Sequence, residues 1–166
     1  MSKRKDILIR PVEERDYESV WRIFSEVVKR GDTFAFSPET AREEGLDIWV
    51  HAPHVTYVAE AEGIVLGSYF VKPNQPGLGS HVCNAGYMVA AEARGHGIGR
   101  LMCEHSLDIA RNLGYRAMQY NFVISTNADA IHLWKSLGFS IVGTLEKAFN
   151  HHEHGFVDAH VMYRGL

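Results

Sequence analysis

Between Ala85 and Met102 the chain passes from an apolar run, Gly86 to Ala90, through Arg94-Gly95-His96-Gly97-Ile98-Gly99, into an amphipathic segment. In that segment Ile98, Leu101, Met102, His105, Leu107, Ile109 and Leu113 recur at mixed three- and four-residue spacing, and Gly114 supplies a stop. The pattern predicts a strand, a glycine turn and a helix. A helix start carries N–H groups without intrahelical partners and the positive end of the helix dipole. Glycines there let the main chain approach a ligand closely and adopt positive φ. The product is a main-chain cradle for a phosphate. A plain surface turn fits the glycine content equally well. Two familiar nucleotide loops do not fit: no Gly-Lys-Ser/Thr closes the turn, and Gly95-x-Gly97-x-Gly99 is too tight for a dinucleotide fingerprint.

The 166 residues predict one domain, 1–166, with 46% hydrophobic and 22% charged residues, enough apolar material for a core. A net charge of -3 gives no general basic surface, so nucleic acid is not an expected partner. No stretch is long and apolar enough to span a membrane, and Met1–Asp6 is basic but lacks a signal peptide's apolar region. Cys83 and Cys103 form no framework, which fits a reduced, cytoplasmic setting.

In chain order, Ile7–Pro11 reads as a first strand. Tyr17, Val20, Trp21, Phe24, Val27 and Val28 read as a helix ending before Gly31. Gly31–Phe36 is a loop bearing Phe34 and Phe36. Ser37-Pro38 reads as an N-cap with proline at the first helical position, starting a helix to about Trp49. A hairpin of 55–60 and 64–71 follows, then a Pro/Gly loop at 73–80, and the strand 81–90 leading to the cradle. Beyond the cradle helix come a strand at 117–124, a helix opened by Asn127 and closed by Gly138, and a strand at 139–144. A polar, His-rich loop at 147–155 precedes a last strand, 156–163, in which Val157, Ala159 and Val161 alternate with Asp158, His160 and Met162.

Two motifs in this order resemble a known family. Val89 with Arg94-Gly95-His96-Gly97-Ile98-Gly99, and downstream Asn127-x-x-Ala130-x-x-Leu133-Trp134-x-x-Leu137-Gly138-Phe139, are similar to the signatures of the GCN5-related N-acetyltransferases. The resemblance runs from Ile7 to Tyr163. It implies an α/β (α+β) acyltransferase fold: a mixed, mostly antiparallel, splayed sheet of about seven strands with about four helices. It implies acetyl-CoA as cosubstrate, lying in the gap of the sheet, and no metal. It further implies that the backbone of Met88 and Val89 pairs with the pantetheine arm, and that one of their N–H groups polarises the acetyl carbonyl. The N–H groups of Arg94, Gly95, His96, Gly97, Ile98 and Gly99 would bind pyrophosphate. Asn127 would contact the CoA arm, besides capping its helix.

The sequence departs from the family at Trp134, where many members carry a Tyr that protonates the leaving thiolate. Indole is a donor that does not titrate usefully. Tyr120 and Tyr87 are the candidate substitutes. Asn84 and Asn121 are unusual within strands. Their neutral reading is an edge hydrogen bond or a bulge. Their functional reading is a polar floor for the acceptor, and with Asn127 they keep the spacing of the branch that acetylates azetidine-2-carboxylate. By the same resemblance Phe34 and Phe36 wall the acceptor site, while Trp49 reads as core.

The ten histidines include His151, His152 and His154 around Glu153, but no Cys partner has zinc spacing. A solvated loop is the simpler reading; a loop covering the acceptor pocket is the alternative. The expected function is acetyl transfer to a small amine, an amino acid or analogue, by a homodimeric enzyme. Acetylation of a protein N-terminus or lysine, and a non-catalytic acetyl-CoA sensor, are the alternatives.

Overall fold

The computed structural model describes residues 6–166. One sheet holds seven strands in the order β1-β2-β3-β4-β5-β7-β6. These are β1 (Leu8–Pro11), β2 (Val55–Ala61), β3 (Ile64–Pro73), β4 (Val82–Val89), β5 (Ala117–Ile124), β6 (Ser140–His151) and β7 (Gly155–Gly165). The helices are α1 (Tyr17–Arg30), α2 (Arg42–Trp49), α3 (Ile98–Asn112) and α4 (Ala128–Ser136). All strand neighbours are antiparallel except β4 and β5. That parallel ladder holds only Val82–Ala117, Cys83–Met118 and Asn84–Gln119, and beyond it the strands part.

Period-2 alternation gives β3 and β4 two different faces. Trp49 of α2 stacks edge-on against Phe70 at 4.9 Å and donates from Nε1 to Ser68 Oγ at 3.0 Å, so α1 and α2 cover the even-numbered face. Tyr57 and Tyr69 meet His105 of α3 on the odd-numbered face. Helix α1 buries Val20, Phe24, Val27 and Val28 of the expected stripe together with Ile23, while Tyr17 and Trp21 are only half-buried. Each such side chain contributes about 1.5–3 kcal/mol. Gly31, with φ 65°, ends the helix, its N–H donating to Val28 O at 3.2 Å. Arg10 ties β1 to the entry of α1 through Asp16, at 2.7 and 2.9 Å, and to Glu60 of β2. That guanidinium holds the Asp16 carboxyl below its usual range.

Three expectations change. Helix α2 starts at Arg42: Ser37 Oγ accepts from Glu39 N and Ser37 O from Thr40 N, closing one separate turn instead of capping a long helix. Strand β6 runs on to His151, so the expected loop at 147–155 shrinks to the hairpin tip His152–His154. The ladder breaks between Leu145 and Phe149, where Lys147 has φ 49° and its N–H donates to Asp158 Oδ1. Strand β7 buries both Ala159 and Met162 because both of its faces are covered: Met162 belongs to the main core, and Ala159 packs with Ile124 and Phe149 in a second cluster.

Candidate active site

Where β4 and β5 part, two cavities meet. A groove of about 1160 Å³ runs past Tyr87–Val89, the turn Arg94–Gly99, the start of α4 and the β6–β7 hairpin tip. A pocket of about 520 Å³ lies against Phe34, Phe36, Trp49, Phe70, Asn84 and Asn121. Thr33, Tyr87, Asn127, Ala130 and Trp134 line both.

The groove is main-chain work. Gly95 and Gly97 have φ 76° and 79°, and a Cβ built on either meets nothing within 4 Å, so both face open space in a left-handed conformation that a side chain would strain. Gly97 caps α3, whose first internal bond is Leu101 N to Gly97 O at 3.1 Å. The N–H groups of Ile98, Gly99 and Arg100 are therefore left for a ligand. All the expected cofactor residues line the groove except His96, whose Nδ1 turns back to Ala93 O at 3.2 Å. Asn127 Oδ1 caps α4 by accepting from Ala130 N at 3.3 Å.

The free edge of β4 has a definite phase. Ala90 N donates to Leu66 O at 2.8 Å, and Asn74 N to Val82 O at 2.9 Å. With the Gly67–Val89 register, these bonds place the even-numbered β4 residues in hydrogen-bonded pairs with β3. Met88 thus spends its peptide groups on Ser68, contrary to the expectation that it shares the gap edge with Val89. Tyr87 and Val89 turn theirs into the gap.

The tyrosines expected as acids belong to a hydroxyl chain beneath α3. Ser106 Oγ donates to Cys103 O at 2.7 Å, which leaves Tyr87 to donate to Ser106 at 2.7 Å and Tyr120 to Tyr87 at 3.0 Å. Cys103 Sγ lies 3.4 Å from the Tyr120 hydroxyl. Burial pushes both phenols well above their ordinary range. Trp134 packs on Tyr87 at 5.0 Å and Tyr120 at 5.1 Å, where the two cavities meet.

In the pocket, Asn84 Nδ2 donates to Gln119 O at 2.9 Å, spanning the last rung before the splay. Asn121 Nδ2 donates to Asn74 Oδ1 at 2.7 Å, and its Oδ1 accepts from Gln119 Nε2 at 3.0 Å. Two pocket residues escaped the sequence reading. Lys72 lies 5.6 Å from the Phe70 ring, and His54 stands edge-on to that ring at 4.8 Å. His54 Nδ1 meets His51 O, so it carries the proton; Nε2 is buried and has no partner. Burial lowers the His54 pKa, and Lys72 adds to the effect. The signal that could have found both is the strand pairing, which sets the residue before Val55 opposite the one after Val71.

The histidine tip lines the groove, not the acceptor pocket. His151 is buried, and its Nδ1 accepts from Glu153 N and His154 N at 3.1 and 3.3 Å, while His152 Nδ1 reaches Gly31 O at 3.2 Å. No cluster suited to a metal ion occurs among the described residues.

The sequence matches the profile described as "Acetyltransferase (GNAT) family" over residues 17–139. The chain belongs to that family of acetyl-CoA-dependent N-acetyltransferases. It is similar to a GCN5-related N-acetyltransferase from Kribbella flavida: 43% identity, TM-score 0.93, covering 96% of this chain and 98% of that one. It is 38% identical over 99 residues to N-acetyltransferase aca1 of Schizosaccharomyces pombe (strain 972 / ATCC 24843), covering 58% of this chain and 47% of aca1, so it spans about half of that relative's length. Its fold also matches a phosphinothricin acetyltransferase from Sinorhizobium meliloti in complex with acetyl-CoA, with TM-score 0.85, 22% identity, and 96% and 88% coverage.

Proposed function

We propose that the protein acetylates the amine of a small molecule, an amino acid or analogue, by direct attack on the thioester. The observation that carries this reading is the 520 Å³ aromatic pocket joined to the groove at the splay; its size is that of a small-molecule site. Acetyl-CoA supplies the activated acetyl group. The free N–H groups at the start of α3 hold the pyrophosphate. Val89 pairs with the pantetheine arm, and a gap-facing N–H of Tyr87 or Val89 stabilises the charge that develops on the carbonyl oxygen. Asn84 and Asn121 form the polar floor that orients the amine, Phe34 and Phe36 wall it, and Trp134 with Asn127 lies at the junction. The acid role proposed for Tyr120 requires its proton to leave the Tyr87–Ser106 chain. A proton passing from the attacking nitrogen to sulfur leaves that chain intact.

The spacing of Asn84, Asn121 and Asn127 supports a small cyclic amino acid such as azetidine-2-carboxylate as acceptor. Val142, Leu145 and Phe156, exposed on the edge hairpin, support a homodimer, and two free buried cysteines support a cytoplasmic setting. The test is CoA release across free amino acids, simple amines and peptides, with Asn121→Ala alongside. Turnover of free amino acids, lowered roughly tenfold or more in the variant, is expected. Turnover of peptides alone would overturn the proposal.

A further inference from the structure

The acceptor pocket has an unbalanced charge. Among the described residues, no Asp or Glu lines it, and Lys72 is its one fully charged side chain. Lys72 is half-buried and has no ion-pair partner among the described residues, whereas Arg10, Arg22, Arg42, Arg100 and Arg111 are each paired with a carboxylate. The Phe70 ring, 5.6 Å from Nζ, stabilises that cation only in part, and a partly desolvated ammonium facing a cavity gains most from a ligand that pairs with it.

The register places an acceptor beside this donor. Lys72 is the β3 partner of Asn84, in a hydrogen-bonded pair whose Cα atoms lie about 5.5 Å apart, and both side chains leave the same face. Asn84 commits its Nδ2 to Gln119 O, which leaves Oδ1 as a free acceptor. His54 adds the unpartnered Nε2 next to the same Phe70 ring. A cation next to neutral acceptors is the complement of a carboxylate next to an ammonium. The row lies two residues, about 7 Å, from Gly86 and three, about 10 Å, from the gap-facing Tyr87, within reach of a lysine side chain and one amino acid.

We propose that Lys72 is the specificity-determining residue of the acceptor pocket: it pairs with the acceptor's carboxylate and thereby selects amino acids over amines that lack one. The inference rests on the small-acceptor reading above. A cationic acceptor, such as a polyamine or a lysine side chain, would meet Lys72 with no acidic group to offset it.

The test compares kcat/KM for the best free amino acid with that for its carboxamide. Wild type favours the acid by about ten- to hundredfold, the worth of a hydrogen bond to a charged group. In Lys72→Met the acid-over-amide ratio falls to near one, and in Lys72→Arg it recovers. Calorimetry with acetyl-CoA, whose groove Lys72 does not line, verifies that each variant is folded. A wild-type ratio near one, or a ratio unchanged in Lys72→Met, overturns the role of Lys72 and leaves the small-acceptor reading standing. Turnover of peptides with no small amine accepted overturns both.

Discussion

The groove at Arg94–Gly99 and the pocket over Phe70 serve one reaction but are made of different material. The groove offers peptide N–H groups from one continuous stretch, with two glycines in left-handed conformations holding them open. The pocket offers side chains from β3, β4, β5, α2 and the α1–α2 loop, brought together by strand register. A donor shared by all reactions of a class can be held by main chain. An acceptor that differs from enzyme to enzyme has to be read by replaceable side chains. Changes on one side should therefore spare the other.

The largest effect is expected from Gly97→Val. A β-branched residue at φ 79° is strained by about 1–2 kcal/mol, and distorting the donors it holds adds a comparable loss. The Kd for acetyl-CoA should rise about a hundredfold while the order of preference among acceptors stays the same. Next come Asn84→Ala and Asn121→Ala, which should each lower kcat/KM for the acceptor roughly tenfold or more. Gly86→Ala should act on the same side more mildly: the new Cβ would lie 2.7 Å from Phe70 Cε1, forcing the ring into the pocket and raising the acceptor KM several-fold.

Tyr120→Phe sharpens the boundary between the two sides. Removal of a general acid costs about a hundredfold or more, so a loss of under about tenfold in kcat would mark the hydroxyl as a strut within the chain. The smallest effect is on stability. His54 and His105 have pKa values lowered from 6.5, mainly by burial. As pH falls the unfolded chain binds their protons first, so their contribution is present above pH 6.5 and is lost below it. The melting temperature should decline on that acidic side, less so in His54→Gln.

The contrast also governs what could be read beforehand. The cradle was legible because its chemistry lies in consecutive residues whose spacing carries the geometry. Asn84 and Asn121 were visible because asparagine is out of place in a strand. Lys72 and His54 were not, since each becomes significant only when β2 and β3 align across Phe70. The phase of β4 was hidden for a related reason: Met88 and Val89 look alike in sequence, and only the hydrogen bonds at either end of the ladder show which one faces the gap. Polar composition concealed the extension of β6 to His151, because a bulge at Lys147 lets a hydrophilic edge strand continue.

The most direct test of the division is calorimetric titration of acetyl-CoA into the double variant Asn84→Ala/Asn121→Ala. An acceptor side built separately from the donor side predicts a Kd within about twofold of wild type, in a protein whose acceptor turnover has collapsed. A loss of acetyl-CoA affinity as large as that of Gly97→Val would show that the asparagines belong to the donor site, and would contradict the account.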